Sequence, residues 1–266
     1  GRRGGRGRAP AGERGHEGDQ GATRHGATVE ARGPGCYPAA AVTPWKTLAT
    51  EATAEGKLEL RQRGAREFLI VIDGRVLMTS RDRRSEEGLA SLACAAIRAP
   101  RPRVLIGGLG MAYTVRAALD ALPADARVEV AELTPAVEAW CRGPLAPLTD
   151  GAVADPRVRV IIDDVARVIA RAAAGHYHAI VLDLYEGPHA ATQRADDPFY
   201  GRAALARSAA ALAPGGVLAI WSEEADDAFA RRFTSAGFDV ATHRLGTTRT
   251  HVVYVGRRRA PTPPRG

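Results

Sequence analysis

The chain has 266 residues, 45% hydrophobic and 25% charged, with a formal net charge of +7. That length can bury a sizeable core, and the lack of any apolar run of about 18 residues argues against a membrane-spanning helix. The first residues, Gly-Arg-Arg-Gly-Gly-Arg, have no apolar centre of the secretion-signal kind. Cys36, Cys94 and Cys141 are spaced like neither a disulfide framework nor a metal site, so a cytoplasmic protein without a metal is expected.

The positive charge is confined to the ends. Residues 1–43 carry seven arginines against four acids, residues 256–266 carry four arginines and no acid, and the stretch between has 26 charges of each sign. A neutral body shows no footprint for nucleic acid. Weak electrostatic contact through the two tails is the most that composition supports. Residues 1–43, rich in Gly and Arg, are expected to be disordered. A β module with a linking helix is expected over 44–98, a nucleoside-binding domain over 99–255 and a basic tail over 256–266.

From 57 to 80 the pattern is an antiparallel hairpin. Leu58 and Leu60 alternate with polar neighbours, Phe68 to Ile72 is apolar, and Asp73-Gly74 is a turn before Val76-Leu77-Met78. A helix over roughly 85–98 follows, with Ser85 placed to cap it and Glu86-Glu87 suited to its N-terminal dipole. Val104 to Ile106 then reads as a buried strand ending in Gly107, Gly108 and Gly110. These glycines let the chain turn tightly and approach a ligand before the helical spacing of Met111 to Leu122.

Arg127 to Ala131 forms a second strand, and Glu132 at its tip lies 25 positions after Gly107. The expected offset for a carboxylate that accepts both ribose hydroxyls is roughly 20 residues; an exposed loop carboxylate is the alternative. Tyr113 stands where a dinucleotide fingerprint has its third glycine. A nucleoside with a short charged arm, such as S-adenosylmethionine, therefore fits better than a pyrophosphate.

Thr134-Pro135 is a helix start with Thr as cap. The third strand, Val158 to Ile162, ends in Asp163-Asp164, and the fourth, Ala179 to Leu182, ends in Asp183. Asp164 is placed either to cap the helix Val165–Ala173 or to accept a hydrogen bond from an adenine amino group. A helix over Pro198 to Leu212 stops at Pro214-Gly215-Gly216, and Val217 to Trp221 is the fifth strand. A helix of about 225–236 and a closing hairpin, Phe238 to Arg244 and Thr250 to Val255, complete the pattern.

Alternating β and α segments argue for a mostly parallel sheet, so the expected class is α/β: a Rossmann-like class I methyltransferase sheet with a small N-terminal β-hairpin module. Ligands in such sheets bind outside the carboxyl ends of the strands, where Glu132, Asp163-Asp164 and Asp183 should meet. Asp183 and Glu186 together suit a cationic substrate, and a carboxylate that takes a proton from an amine is worth about 10²–10⁴-fold. Tyr185 and Tyr200 are placed either to line the pocket or to pack in the core with a wet hydroxyl. His176 and His178 lack a third ligand nearby. Trp140 and Trp221 suit core positions.

The order of these features over about 57–255 resembles the spermidine synthase (polyamine aminopropyltransferase) family. Val-Leu-Ile-Gly107-Gly108-Leu-Gly110 is similar to its glycine loop, Val-Ala-Glu132-Leu to its ribose-binding strand end, and Asp163-Asp164-Val to its adenine contact. Asp183-Leu-Tyr-Glu186-Gly-Pro188 is similar to its catalytic loop, and Pro198-Phe-Tyr200 and Pro214-Gly215-Gly216-Val also fit. The chain departs where the family's glycine loop continues with an aspartate, since Gly110-Met111 stands here. The family's Tyr-His-Glu appears as Ser85-Glu86-Glu87 or Glu86-Glu87-Gly88.

The resemblance implies an aminopropyl transfer from decarboxylated S-adenosylmethionine to a small amine. Asp183 would act as base, and Glu186 with Glu86 or Glu87 would hold cationic substrate. A methyltransferase using S-adenosylmethionine, and a non-catalytic nucleoside- or RNA-binding protein, are the alternatives. A homodimer is among the candidate assemblies.

Overall fold

The computed structural model describes residues 43–189, 194, 196–246 and 250–260. The expected Gly/Arg-rich tail lies outside them apart from Thr43, as does the basic tail beyond Ala260. From Thr43 onward the described residues pack as one unit.

Four antiparallel strands come first, β1 Lys46–Thr53, β2 Gly56–Arg63, β3 Glu67–Ile72 and β4 Arg75–Thr79, paired in that order. β1 is an addition to the expected hairpin. Its sequence, Lys-Thr-Leu-Ala-Thr-Glu-Ala-Thr, has no clean apolar alternation, because it is an edge strand with no buried side chain. The helix α1 (Arg84–Ala95) then leads to β5 (Arg103–Gly107). It starts earlier and ends earlier than expected, and Ser85 does not cap it. The cap position is Arg83, and the Ser85 hydroxyl instead donates to the Glu86 carboxylate.

The main body continues with α2 (Tyr113–Ala121), β6 (Arg127–Glu132), α3 (Pro135–Arg142), β7 (Val158–Ile162), α4 (Val165–Arg171), β8 (Tyr177–Leu182), α5 (Arg202–Ala211), β9 (Leu212–Ser222), α6 (Asp227–Ser235), β10 (Phe238–Leu245) and β11 (His251–Arg258). Proline opens α3 as expected, although the Thr134 side chain makes no cap hydrogen bond. β9 starts at Leu212 rather than Val217: Tyr177 pairs with Leu212 and Ala179 with Val217, so Pro214-Gly215-Gly216 lies in an irregularity within the strand. β11 runs beyond Val255, which takes Arg257 and Arg258 out of the expected basic tail. Arg257 donates to the Gly215 carbonyl at 2.9 Å and the Ala96 carbonyl at 2.6 Å, and Arg258 donates to the Leu212 carbonyl.

These strands form a seven-stranded sheet in the order β10-β11-β9-β8-β5-β6-β7. Its four pairings from β9 to β7 are parallel, while β11 pairs antiparallel with both β10 and β9. Both faces are covered, as the apolar runs of parallel strands require. Val104 and Ile106 point to one core, shared with α1, α2, α3 and the inner residues of β2 and β3. Leu105 points to the other, shared with α4, α5 and α6. The N-terminal sheet thus shares a core with the main sheet.

From β5 the chain winds one way through β6 to β7, then returns to place β8 on the other side of β5. The C-terminal ends of β5 and β8 therefore flank a topological switch point. In open α/β sheets this is the position at which ligands bind.

Candidate active site

The loop after β5 is built around close contacts at this switch point. The Gly108 N–H donates to the Ala131 carbonyl at 2.9 Å, and the Asp183 N–H donates to the Gly107 carbonyl at 2.9 Å. Gly108 has φ of 88°, and a Cβ there would lie 2.2 Å from the Asp183 carbonyl oxygen. Only a residue without a side chain brings the β5 and β8 ends this close. Across the loop, the Met111 N–H lies 3.2 Å from Met78 Sδ, so β4 rests against the glycine turn. Met111 is fully buried.

Glu132 is 8% exposed. Its Oε2 accepts the Leu109 N–H at 2.9 Å and its Oε1 accepts the Thr134 N–H at 2.9 Å. Burial raises its pKa, opposed by the backbone N–H groups of Thr134, Leu109 and Leu133. Glu132 therefore has a loop-holding role that sequence did not reveal. Each carboxylate oxygen still has a second lone pair for a hydroxyl donor. Glu132→Ala is expected to cost about 1–3 kcal/mol for each N–H left without an acceptor, read as a lower urea midpoint. A smaller loss is expected for Glu132→Gln; an unchanged midpoint in Glu132→Ala would exclude the loop-holding role.

Asp163 and Asp164 follow β7, next to Glu132; the Asp163 N–H donates to the Glu132 carbonyl at 3.1 Å. The Asp163 carboxylate pairs with Arg171 and accepts the Asp164 N–H at 2.8 Å. Arg171 holds its pKa below the usual carboxylate range. Asp164 caps α4, accepting the Ala166 N–H at 2.7 Å through Oδ1. Capping engages one oxygen and leaves Oδ2 for a further donor. Two apolar side chains missed in sequence lie beside these acids, Leu133 at 59% and Ile162 at 43% exposure. Large apolar side chains left exposed at adjacent strand ends suit a flat heterocycle. The available signal was an aliphatic residue directly next to each strand-end acid.

Asp183 is the most perturbed acid of the group. Burial, then the charge of Glu86, push its pKa up to about 7, against the Thr114 hydroxyl that donates to Oδ2. Thr114 sits in the first turn of α2 and is itself buried. Glu86, in the first turn of α1, is also raised, mainly by burial. Glu87, by contrast, pairs with Arg83 at 2.9 Å and lines a separate cavity of about 400 Å³ with Tyr113 and Asp150. Of the two candidate glutamates, only Glu86 acts on Asp183.

Glu186 and Tyr185 sit at the exposed rim. Arg75 reaches both, 3.6 Å from the Glu186 carboxylate and 5.4 Å from the Tyr185 ring centre. Tyr200 does not line the rim. It is 2% exposed, packs edge-on against Phe229, and its hydroxyl donates to the Glu186 carbonyl at 2.8 Å. Its hydroxyl is thus held by protein and fixes the loop after Asp183. Trp140 is buried as expected, while Trp221 is half-buried at the end of β9 with no partner for its Nε1–H among the described residues.

The strand order, with its switch point between β5 and β8 and the antiparallel pair β10-β11 at one edge, makes this a Rossmann-like α/β sheet. No protein-family model matches the chain, and no curated protein matches its sequence. Among solved structures, the spermidine synthase from Thermotoga maritima matches with a TM-score of 0.66 at 17% identity, over 80% of this chain and 72% of that one. A spermidine synthase in complex with the transition state analogue AdoDATO matches with a TM-score of 0.65 at 16% identity, over the same 80% and 72%. The chain has a spermidine synthase-like fold. Among the described residues no group of three or more His, Cys, Asp or Glu is placed to hold a metal ion, and no helix is long and apolar enough to cross a membrane.

Proposed function

We propose that this chain transfers an aminopropyl group from decarboxylated S-adenosylmethionine to a small amine. The observation that carries this reading is Asp183, at the switch point with a pKa near 7 and with Glu86 close enough to raise it. Two carboxylates that raise each other's proton affinity favour a cation beside them. They disfavour a donor whose arm ends in a further carboxylate. The fold of the synthase solved with AdoDATO supports the same choice.

In this reading Gly107, Gly108 and Gly110 form the tight turn beside the donor, Glu132 accepts hydrogen bonds from its ribose hydroxyls, and Asp164 accepts one from the adenine amino group through Oδ2. Leu133 and Ile162 sandwich the base, and Asp163 orients Asp164. The acceptor enters past Tyr185 and Glu186. Its nitrogen lone pair forms the new C–N bond as the C–S bond breaks and the electron pair passes to sulfur. Asp183 takes the proton that the nitrogen sheds. A free amine has a pKa near 10, so proton removal and alignment by a nearby carboxylate are the main help the protein gives.

Calorimetric titration of both donors, followed by mass spectrometry of mixtures with a panel of small amines, tests the proposal. The decarboxylated donor should bind at least about tenfold tighter, a difference of about 1.4 kcal/mol, and a product heavier by one aminopropyl group should form. Preference for intact S-adenosylmethionine would overturn the reading in favour of methyl transfer.

A further inference from the structure

Three consecutive residues of the glycine turn are each held by one side chain from a different part of the chain. Leu109 donates its N–H to Glu132 at 2.9 Å, at the end of β6. The Gly110 carbonyl accepts the Cys141 thiol of α3 at 3.2 Å, and Met111 donates its N–H to Met78 Sδ of β4 at 3.2 Å. The last of these clamps joins the only two methionines of the chain.

The three clamps differ in what a mild oxidant does to them. Glu132 holds its turn residue through a carboxylate, which peroxide leaves intact. Cys141 is 2% exposed, and burial pushes its thiol up to about 12. It stays a thiol, and only the thiolate attacks peroxide readily. Met78 is half-buried near the end of β4, whereas Met111 is fully buried. A thioether needs no deprotonation to react. One lone pair of Met78 Sδ accepts the Met111 N–H, and the other is left for an incoming oxygen.

The turn side of that sulfur has no spare room, since a Cβ on Gly110 would lie 2.9 Å from Met78 Sδ. A sulfoxide converts an apolar side chain into a polar one. Its oxygen either takes over the Met111 N–H, which moves the turn away from β4 by the length of an S–O bond, or turns to solvent and leaves that N–H without its acceptor. Both outcomes undo the clamp. We propose that Met78 is an oxidation-sensitive clamp, converted by peroxide to the sulfoxide with release of the glycine turn from β4. The sulfur lone pair attacks one peroxide oxygen as the O–O bond breaks. Sulfur gives up two electrons and gains the S–O bond, and the proton on the transferred oxygen passes to the departing hydroxide, which leaves as water. A fall in donor affinity follows where the turn holds the donor, a consequence that rests on the proposed function; release of the turn does not.

The test treats the full chain with hydrogen peroxide and follows it by peptide mass mapping and urea midpoint. Met78 should gain one oxygen at least about tenfold faster than Met111, because susceptibility follows access. The midpoint should fall in step with that gain, and a methionine sulfoxide reductase should restore it. Met78→Leu keeps the volume without the sulfur, so peroxide should leave its own midpoint where it started. Equal oxidation of the two methionines, an unmoved midpoint in chain oxidised at Met78, or an equal fall in treated Met78→Leu would overturn the proposal. Calorimetry with decarboxylated S-adenosylmethionine on the same samples separates the two readings. Affinity lost only on oxidation of Met78 extends the clamp to the donor, whereas an unoxidised chain that binds no donor counts against the proposed function and leaves the midpoints to decide the clamp.

Discussion

Asp183→Asn is expected to lower aminopropyl transfer by about 10²–10⁴-fold, the usual worth of a positioned base, while leaving donor affinity within a few-fold. The parent rate should rise about tenfold per pH unit below pH 7 and level off above it, because only the ionised carboxylate takes a proton and its pKa stands near 7. The variant should lose that limb. Stability carries the opposite sign. The folded pKa lies above the ordinary value of 3.8, so the folded state holds a proton that the unfolded state has released. That contribution is fully present below about pH 4 and disappears as pH rises through 7. Asparagine is neutral throughout, so the variant should melt above the parent at pH 8, with the difference narrowing towards pH 4. A parent-like pH limb in the variant would remove Asp183 from the proton path.

Gly108→Ala should produce the largest loss of stability among single methyl additions in the glycine loop. Two penalties combine there. A non-glycine residue at φ of 88° is strained by about 1–3 kcal/mol, and a methyl group 2.2 Å from the Asp183 carbonyl oxygen must push β5 and β8 apart. The 2.9 Å bond from Gly108 to the Ala131 carbonyl moves with them. Gly151→Ala separates the two penalties, since Gly151 has φ of 68° but nothing within 4 Å of an added methyl. Urea midpoints should fall modestly for Gly151→Ala and much further for Gly108→Ala, with donor binding lost only in the latter. Equal midpoints would mean that the close approach of the two strand ends is not needed for the fold.

Much of this architecture is legible in local pattern, because parallel strands buried on both faces are short apolar runs and their ends are marked by acids or glycines. Val104 to Gly107 and Ala179 to Leu182 are such cases. β1 is not legible, since an edge strand with no buried side chain leaves no periodic trace. Ser85 misleads because a capping residue type two positions after the cap, at Arg83, looks the same in sequence. In the site, the acids at strand ends are visible, but their duties are not. Glu132 holds two backbone N–H groups, Asp164 caps a helix, and Tyr200 is a buried strut rather than a pocket wall. Thr114 meets Asp183 across 69 positions of sequence, a proximity that only packing creates.

The segment from Asp183 to Pro188 is pinned along its length. Asp183 is tied to Gly107, and the Glu186 carbonyl accepts from Tyr200. Gly187 sits so close to Ser222 that a Cβ would lie 2.5 Å from the Ser222 Cα, and the Ser222 hydroxyl lies 3.3 Å from the Pro188 carbonyl. Fixing a residue's backbone costs about 1–2 kcal/mol of conformational entropy, and here that cost is met when the chain folds. In the proposed reaction, substrate association therefore orders none of the pinned positions and draws its discrimination from shape and charge already in place. A site built this way would gain speed of capture and give up the option of remoulding itself around a differently sized amine.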